Sequence, residues 1–447
     1  MDPVAISLTC LALVLVLLAL RVPIAFALGT AAVVGFLLFF GWRPGSEPHL
    51  GRALRPALSL LASAPFEFIH RYEMSMIPLF IALGHIAYQA DITRHIYDAI
   101  RVWLARLPGG LAMASVVGCG GFSAITGSSV ACASAMGRIA VPEMLRHGYA
   151  PALATGSVAA GGTLGSLIPP SLLFVLYGVF TEESVSKLFL AGIVPGVLSL
   201  LGFLLSIAWW VGRHPHVAPA ATEHWSRAER WRALLQAWPA VLLFVLVVGG
   251  IYLGVFTPTE AAAVSVCLAL LIGWATRKLT WAGLGEALRD TAVQTATIFA
   301  IAIGAKLLVS LLSLTGLAPA LLHMIEAVAV SDALVLAALV VLYLVLGMFL
   351  DSIGILLLTL PLTVPLVDGM GMDLIWFGVI VVKLLEIGLI TPPIGLNVFV
   401  IHGVLDGRVR LEDIFRGVSR FLVVDLLVLL LLLLFPVLSL FIPQSMG

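Results

Sequence analysis

The chain has 447 residues, of which 61% are hydrophobic and only 11% charged, with a mean hydropathy of +1.13. Soluble domains carry about 25% charged residues, so an ordinary water-soluble enzyme is excluded, and the apolar content excludes a disordered chain. The 24 basic residues balance the 24 acidic ones and form no stripe for nucleic acid, which leaves an all-α polytopic membrane protein set in a lipid bilayer.

Residues 4–20 form the first apolar run. It follows Asp2 and lacks a basic leader, so it reads as a transmembrane helix rather than a cleaved signal. The pattern then predicts helices at 22–40 and 73–90, separated by an outer loop over 41–72, and a polar helical stretch at 91–107. Residues 109–137 are rich in Gly, Ser, Ala and Thr where a continuous span would carry Leu, so a re-entrant hairpin is expected there. A proline-broken helix follows over 151–180, and the first half closes with a helix at 187–212. The longest polar break, RHPHVAPAATEHWSRAERWR at 213–232, reads as a cytoplasmic linker. Trp209, Trp210, Trp225, Trp231 and Trp238 cluster around it as interfacial anchors. The second half predicts helices at 234–254, 258–275 and 292–313, a hairpin over 333–368, a broken helix over 374–402 and a helix over 412–441.

The halves repeat each other. Gly165-Ser-Leu-Ile-Pro169-Pro170 and Gly388-Leu-Ile-Thr-Pro392-Pro393 lie 223 residues apart, and Val141-Pro142 and Val364-Pro365 share that offset. Weaker matches join Gly84 to Gly304 and Gly120 to Gly347. Residues 1–212 and 233–447 therefore read as a duplicated pair on either side of the linker, and such repeats mark transporters. Five crossings per half would make them inverted. With the N-terminus outside, the basic residues of 94–106, 213–232, 277–289 and 408–420 fall inside, together with Arg21, Arg138 and Arg146. Arg43, Arg52, Arg55, Arg71 and Lys187 fall outside, which favours this orientation by the positive-inside rule. Loop 41–72 fits poorly, with four Arg offset in part by Glu47, Glu67 and Glu73.

The candidate chemistry sits at membrane depth. Gly120–Ser129 packs Ser123, Thr126, Gly127, Ser128 and Ser129 into ten residues. Polar groups and non-helical backbone are tolerated there only inside protein or beside a water-filled cavity. Freed carbonyls suit a small hard cation such as sodium; close helix packing through small residues is the competing reading. Pro169-Pro170 and Pro392-Pro393 each remove two N–H donors and push the preceding residue out of helical geometry. Carbonyls of Gly165, Ser166, Leu167 and Ile168 are expected to come free, as are those of Gly388 to Thr391, with Thr391 and Asn397 adding side-chain oxygens. In the second hairpin, Asp351-Ser352-Ile353-Gly354 interrupts an apolar run; a carboxylate there is a functional hypothesis by default, with a hairpin-tip cap as the alternative. Lys383 and Glu386, three apart on one helix, are expected to pair, whereas Lys306 and Asp425 have no obvious partner. Glu260, in Thr257-Pro258-Thr259-Glu260, suits a first helical turn. Cys10, Cys119, Cys132 and Cys267 read as small core residues rather than a disulfide or metal set.

No GxxxxGK[ST], HExxH or GxSxG pattern occurs, so neither a P-loop ATPase nor a membrane hydrolase is supported, and any driving energy must come from an ion gradient or a partner. Seven short segments stand out together: Ile77-Pro78-Leu79-Phe80, Gly127-Ser128-Ser129, Gly162-Thr163-Leu164-Gly165, Ile168-Pro169-Pro170-Ser171, Thr257-Pro258-Thr259-Glu260-Ala261-Ala262, Leu350-Asp351 and Thr391-Pro392-Pro393-Ile394-Gly395-Leu396-Asn397. On these residues the sequence resembles the large membrane (M) subunit of tripartite ATP-independent periplasmic (TRAP) transporters. The resemblance implies two inverted repeats, each with a re-entrant hairpin and a proline-broken helix, in an elevator-type transporter of the bacterial inner membrane. It also implies secondary, sodium-coupled symport of small organic acids, with no cofactor other than the coupling ions. A periplasmic substrate-binding protein and a separate small four-helix membrane subunit are the implied partners. One ion site would join Ser123–Ser129 to Gly165–Pro169, with Ser123, Ser128 and Gly165 as sodium ligands. The other would join Asp351–Gly354 to Thr391–Asn397, with Asp351 and Thr391 as ligands. A stand-alone ion-coupled exchanger or symporter of similar architecture is the alternative.

Overall fold

The computed structural model describes residues 2–42, 49–104, 106–219, 225–328 and 331–445. Among them every regular element is helical. In chain order the α-helices are α1 Pro3–Ala19, α2 Ile24–Gly41, α3 Leu50–Ile69, α4 Met76–Gln89, α5 Ile92–Leu104, α6 Gly110–Thr126, α7 Ser129–Arg146, α8 Pro151–Thr163, α9 Leu172–Thr181, α10 Val185–Arg213, α11 Arg227–Gln236, α12 Trp238–Phe244 and α13 Gly250–Tyr252. They continue with α14 Pro258–Ala275, α15 Trp281–Thr315, α16 Leu317–Val328, α17 Asp332–Gly347, α18 Ser352–Gly369, α19 Leu374–Gly388, α20 Leu396–Val404, α21 Leu411–Leu434 and α22 Val437–Gln444. Six of the described helices (α2, α10, α14, α15, α18 and α21) are long and apolar enough to cross a membrane alone, and α11 with α12–α13 makes a bent seventh. Among the shorter apolar helices, α6, α9 and α17 are each half of a hairpin or of a broken span, whereas α1 is a single helix of 17 residues.

The chain divides into two compact units. One comprises Met1–Ser75, Ala292–Val341 and Ile353–Leu374. Here α1 packs on α2 and α16, and α2 packs on α3. Ser7 and Thr315 hydrogen-bond through their hydroxyls. The sequence reading of 41–72 as a loop is corrected: α3 occupies most of it. Ala53, Ala57, Ala64 and Phe68 are buried while Arg52 and Arg55 are exposed, a helical stripe that accommodates the Arg residues on its open face. Arg43 and Glu47 lie outside the described residues, as do 220–224 of the linker.

The other unit comprises Met76–Thr291, Leu342–Ser352 and Ile375–Gly447. Its core is formed by α6, α7, α8, α10, α20 and α21. The helix pair α6–α7 turns at Gly127, which has φ 60°, and Ser128 caps α7 by accepting from Ala131 N at 3.4 Å. The span begun by α8 stops at residues 164–171 and restarts as α9, where Ser171 accepts from Phe174 N at 3.3 Å. The span begun by α19 stops at residues 389–395 and restarts as α20. Both double prolines carry cis peptide bonds. Thr257 and Glu260 close a reciprocal capping box at the start of α14. Cys10, Cys119 and Cys132 are buried, but Cys267 is exposed, so the core reading of that cysteine is corrected.

Candidate functional site

The tip of the α6–α7 hairpin sits directly on the first double-proline break. Leu172 N donates to the Gly127 carbonyl at 3.3 Å. A Cβ on Gly127 would lie 2.4 Å from the Pro170 carbonyl oxygen, and one on Gly165 would lie 2.8 Å from Ser129 N and 2.9 Å from the Ser128 carbonyl carbon. Backbone thus meets backbone, which only glycine permits. Gly165 and Ser166 stand four residues before Pro169 and Pro170, so neither carbonyl has a helical N–H to accept.

Three hydroxyl and carboxylate groups converge where tip and break meet. Ser129 Oγ lies 2.9 Å from Ser166 Oγ, and 2.7 and 2.9 Å from the two carboxylate oxygens of Glu386. Glu386 belongs to α19, two residues before Gly388, and is fully buried. Asn397, also fully buried, donates from Nδ2 to the Ala159 carbonyl at 3.3 Å, and its Oδ1 has no partner.

The structure redistributes the residues singled out in sequence. Ser128, Ser129, Gly165 and Ser166 come together, with Gly127 on Pro170. The hydroxyls of Ser123 and Thr126 instead turn back to their own helix, donating to the carbonyls of Cys119 at 2.5 Å and Phe122 at 3.2 Å. Thr391 likewise donates to Ile387 O at 2.6 Å. Asn397, grouped with the second hairpin in sequence, reaches α8 of the first repeat. At the second hairpin tip Asp351 is exposed, Ser352 Oγ is buried, and Gly354 lies in the first turn of α18. The carbonyls expected to come free after α19 are partly satisfied: Gly388 O accepts from Thr391 N at 3.2 Å and Leu389 O from Asn397 N at 3.0 Å. A Cβ on Gly388 would lie 2.6 Å from Gly347 Cα, so this glycine repeats the close approach of Gly165 at the other tip.

The expected Lys383–Glu386 pair is corrected. Lys383 forms a buried ion pair with Asp425 on α21 and donates to Ser199 Oγ on α10 at 2.9 Å. Long-range partners outcompete the i,i+3 spacing because both sites are dry, and a dry charge must be matched closely. Glu386 is the residue sequence reasoning passed over. Its signal was available: a carboxylate inside an apolar run, two residues before a broken-helix glycine.

The donor set at this site is oxygen only: a carboxylate, two hydroxyls, carbonyls lacking helical donors and an orphaned buried amide oxygen nearby. Such a set suits a hard, weakly polarising cation, sodium among them. Among the described residues no group of three or more His, Cys, Asp or Glu is placed to hold a transition metal.

The sequence model of the tripartite ATP-independent periplasmic transporter, DctM component, matches residues 11–438. The chain belongs to this family. It is 34% identical over 388 residues to the C4-dicarboxylate TRAP transporter large permease protein DctM of Pseudomonas aeruginosa, covering 87% of this chain and 90% of that one. It is 32% identical over 378 residues to the sialic acid TRAP transporter large permease protein SiaM of Vibrio cholerae, covering 84% and 87%. The solved structure of the Alcanivorax borkumensis YdaH transporter shares its fold, with a TM-score of 0.60 over 98% of both chains at 15% identity. As a DctM-family permease the protein is a multi-pass membrane protein of secondary transport, and the family is one of transporters rather than enzymes.

Proposed function

We propose that the chain is the large membrane subunit of a sodium-coupled, binding-protein-dependent importer of small organic acids in the bacterial inner membrane. The observation that carries this reading is the oxygen-only cluster where the first hairpin tip closes on the Pro169–Pro170 break. The hairpin supplies hydroxyls, the break supplies carbonyls, and Gly127 and Gly165 let the two backbones touch. In this reading, groups able to bind a cation lie on two elements whose relative movement would open or close the site, as an elevator or gated carrier requires. Sodium bound there would supply positive charge for an anionic substrate. The family and the relatives for a C4-dicarboxylate and for sialic acid support an organic acid as that substrate. A periplasmic substrate-binding protein and a small four-helix membrane subunit are the partners this reading requires.

The test is uptake into proteoliposomes containing this chain and the small subunit, with the binding protein and its acid added outside. Uptake that falls to background when either partner is omitted supports the reading. Uptake by this chain alone, at the full rate, would instead make it a stand-alone ion-coupled exchanger or symporter.

A further inference from the structure

We infer that Glu386 is the charged ligand of the coupling cation at the first hairpin. The inference rests on the reading of the chain as a cation-coupled transporter and assigns the residue that carries the charge.

Among the described residues three Lys, Arg, Asp or Glu side chains are fully buried: Lys383, Glu386 and Asp425. Lys383 and Asp425 are joined as an ion pair, with Ser199 accepting a further hydrogen bond from the ammonium. That pair is electrically closed. Glu386 is then the unmatched negative charge of the group, and among the described residues no cationic side chain bonds to it. Hydroxyl donors soften such a charge without neutralising it, and an isolated carboxylate is not stable in a dry site. It is neutralised either by a proton or by a cation from outside the chain, and the oxygens around it suit a cation.

Proton accounting shows which kind of partner the surroundings suit. Each serine hydroxyl has one proton to give. Ser129 Oγ nevertheless stands within 2.9 Å of both Glu386 oxygens and of Ser166 Oγ. With Glu386 ionised, the two hydroxyls have two protons for these three short oxygen–oxygen contacts, and the place of the third is open to a cation or to a proton on the carboxyl. Oxygens crowded beyond their protons are the arrangement of a cation cage. Gly162 packs tightly beside it: a Cβ there would meet Ala133 Cβ at 3.0 Å and both Asn397 Nδ2 and the Ser129 carbonyl oxygen at 3.3 Å, so the glycine brings Asn397 and the Ser129 backbone close together. The amide oxygen of Asn397, whose Nδ2 donates to the Ala159 carbonyl, is a buried acceptor without a hydrogen-bond partner.

The consequence is a lock made of both repeats. Ser129 and Ser166 belong to the hairpin and break of the first half, Glu386 to the broken helix of the second. With its charge neutralised, Glu386 holds the hairpin tip down; with its charge bare, it favours opening to water.

The experiment is a sodium titration of the purified protein in lipid nanodiscs, followed by thermal melting and by binding of radioactive sodium, with choline as the control ion. The wild type is expected to be stabilised by sodium. Glu386→Gln, nearly isosteric, is expected to raise the sodium midpoint about tenfold or more while melting no lower than the wild type in choline. Ser129→Ala and Ser166→Ala are expected to raise the midpoint several-fold. A wild-type midpoint in Glu386→Gln overturns the inference while leaving sodium coupling intact. If Glu386→Gln does not fold, the two serine variants decide, and unchanged midpoints in both overturn it. A wild type that does not respond to sodium at all overturns the sodium reading itself, and this inference with it.

Discussion

At the first hairpin tip, Gly127–Ser129 is buried against the Pro169–Pro170 break and closes on a carboxylate from the other half of the chain. At the second tip, residues 348–351 leave Phe349 57% exposed and place the carboxylate of Asp351 on the tip itself, open to its surroundings. The breaks differ in the same sense. Gly165 and Ser166 face prolines where their helical donors would be, whereas Gly388 and Leu389 recover N–H donors from Thr391 and Asn397. One sequence device, a hairpin followed by a double proline, therefore produces a closed, charge-bearing site in one repeat and a more self-satisfied break with an exposed tip in the other. The difference comes from what lies beyond the repeat: α19 brings Glu386 to the first tip, and Asn397 also reaches toward α8 of the first half.

The largest effect is expected where the comparison depends on buried charge. Lys383→Met leaves Asp425 unmatched and should destabilise the protein by about 3–5 kcal/mol, while Lys383→Met with Asp425→Leu should recover most of that loss. Melting of the three proteins checks this; a double variant as unstable as the single one breaks the claim that the pair is electrically closed. Next come the repeated glycines. Gly165→Ala and Gly388→Ala each force a Cβ against backbone at under 3.0 Å, and each should cost about 1–3 kcal/mol. If only Gly165→Ala is harmful, the two tip contacts are not equivalent in energy, and the comparison sharpens in favour of the first.

Much of this organisation was legible in sequence, and the reasons are local. Pro169-Pro170 and Pro392-Pro393 announce a break wherever they fall, because a missing N–H is a property of the residue. The Gly-Ser density of 120–129 announces a site that a lipid-facing helix could not tolerate. Partners were not legible. Ser129 and Glu386 lie 257 positions apart, and no spacing rule connects them, so the i,i+3 neighbour Lys383 looked like the better match. Side-chain direction was equally hidden: Ser123 and Thr126 belong to the right segment but spend their hydroxyls on their own helix. The helix Leu50–Ile69 escaped notice because its exposed Arg residues resemble a loop until the buried spacing of Ala53, Ala57, Ala64 and Phe68 is visible.

Smaller effects test the tips themselves. Ser129→Ala removes one charge-assisted hydrogen bond while Ser166 remains, and should cost about 1.5 kcal/mol. Asp351→Ala at the exposed tip should change the melting free energy by less than about 0.5 kcal/mol, yet abolish sodium-dependent uptake if Asp351 serves the second ion site. Wild-type flux in that variant would reduce Asp351 to a cap of its own turn and leave the first tip as the sole site of coupling.

Sodium-driven accumulation tests the central claim most directly. Proteoliposomes holding the large and small subunits, supplied with binding protein and acid, should concentrate the acid inside under an inward sodium gradient. They should cease to concentrate it when sodium is equal on both sides and the membrane potential is clamped to zero. Accumulation that persists with sodium absent from both sides, driven by a proton gradient, would contradict the account.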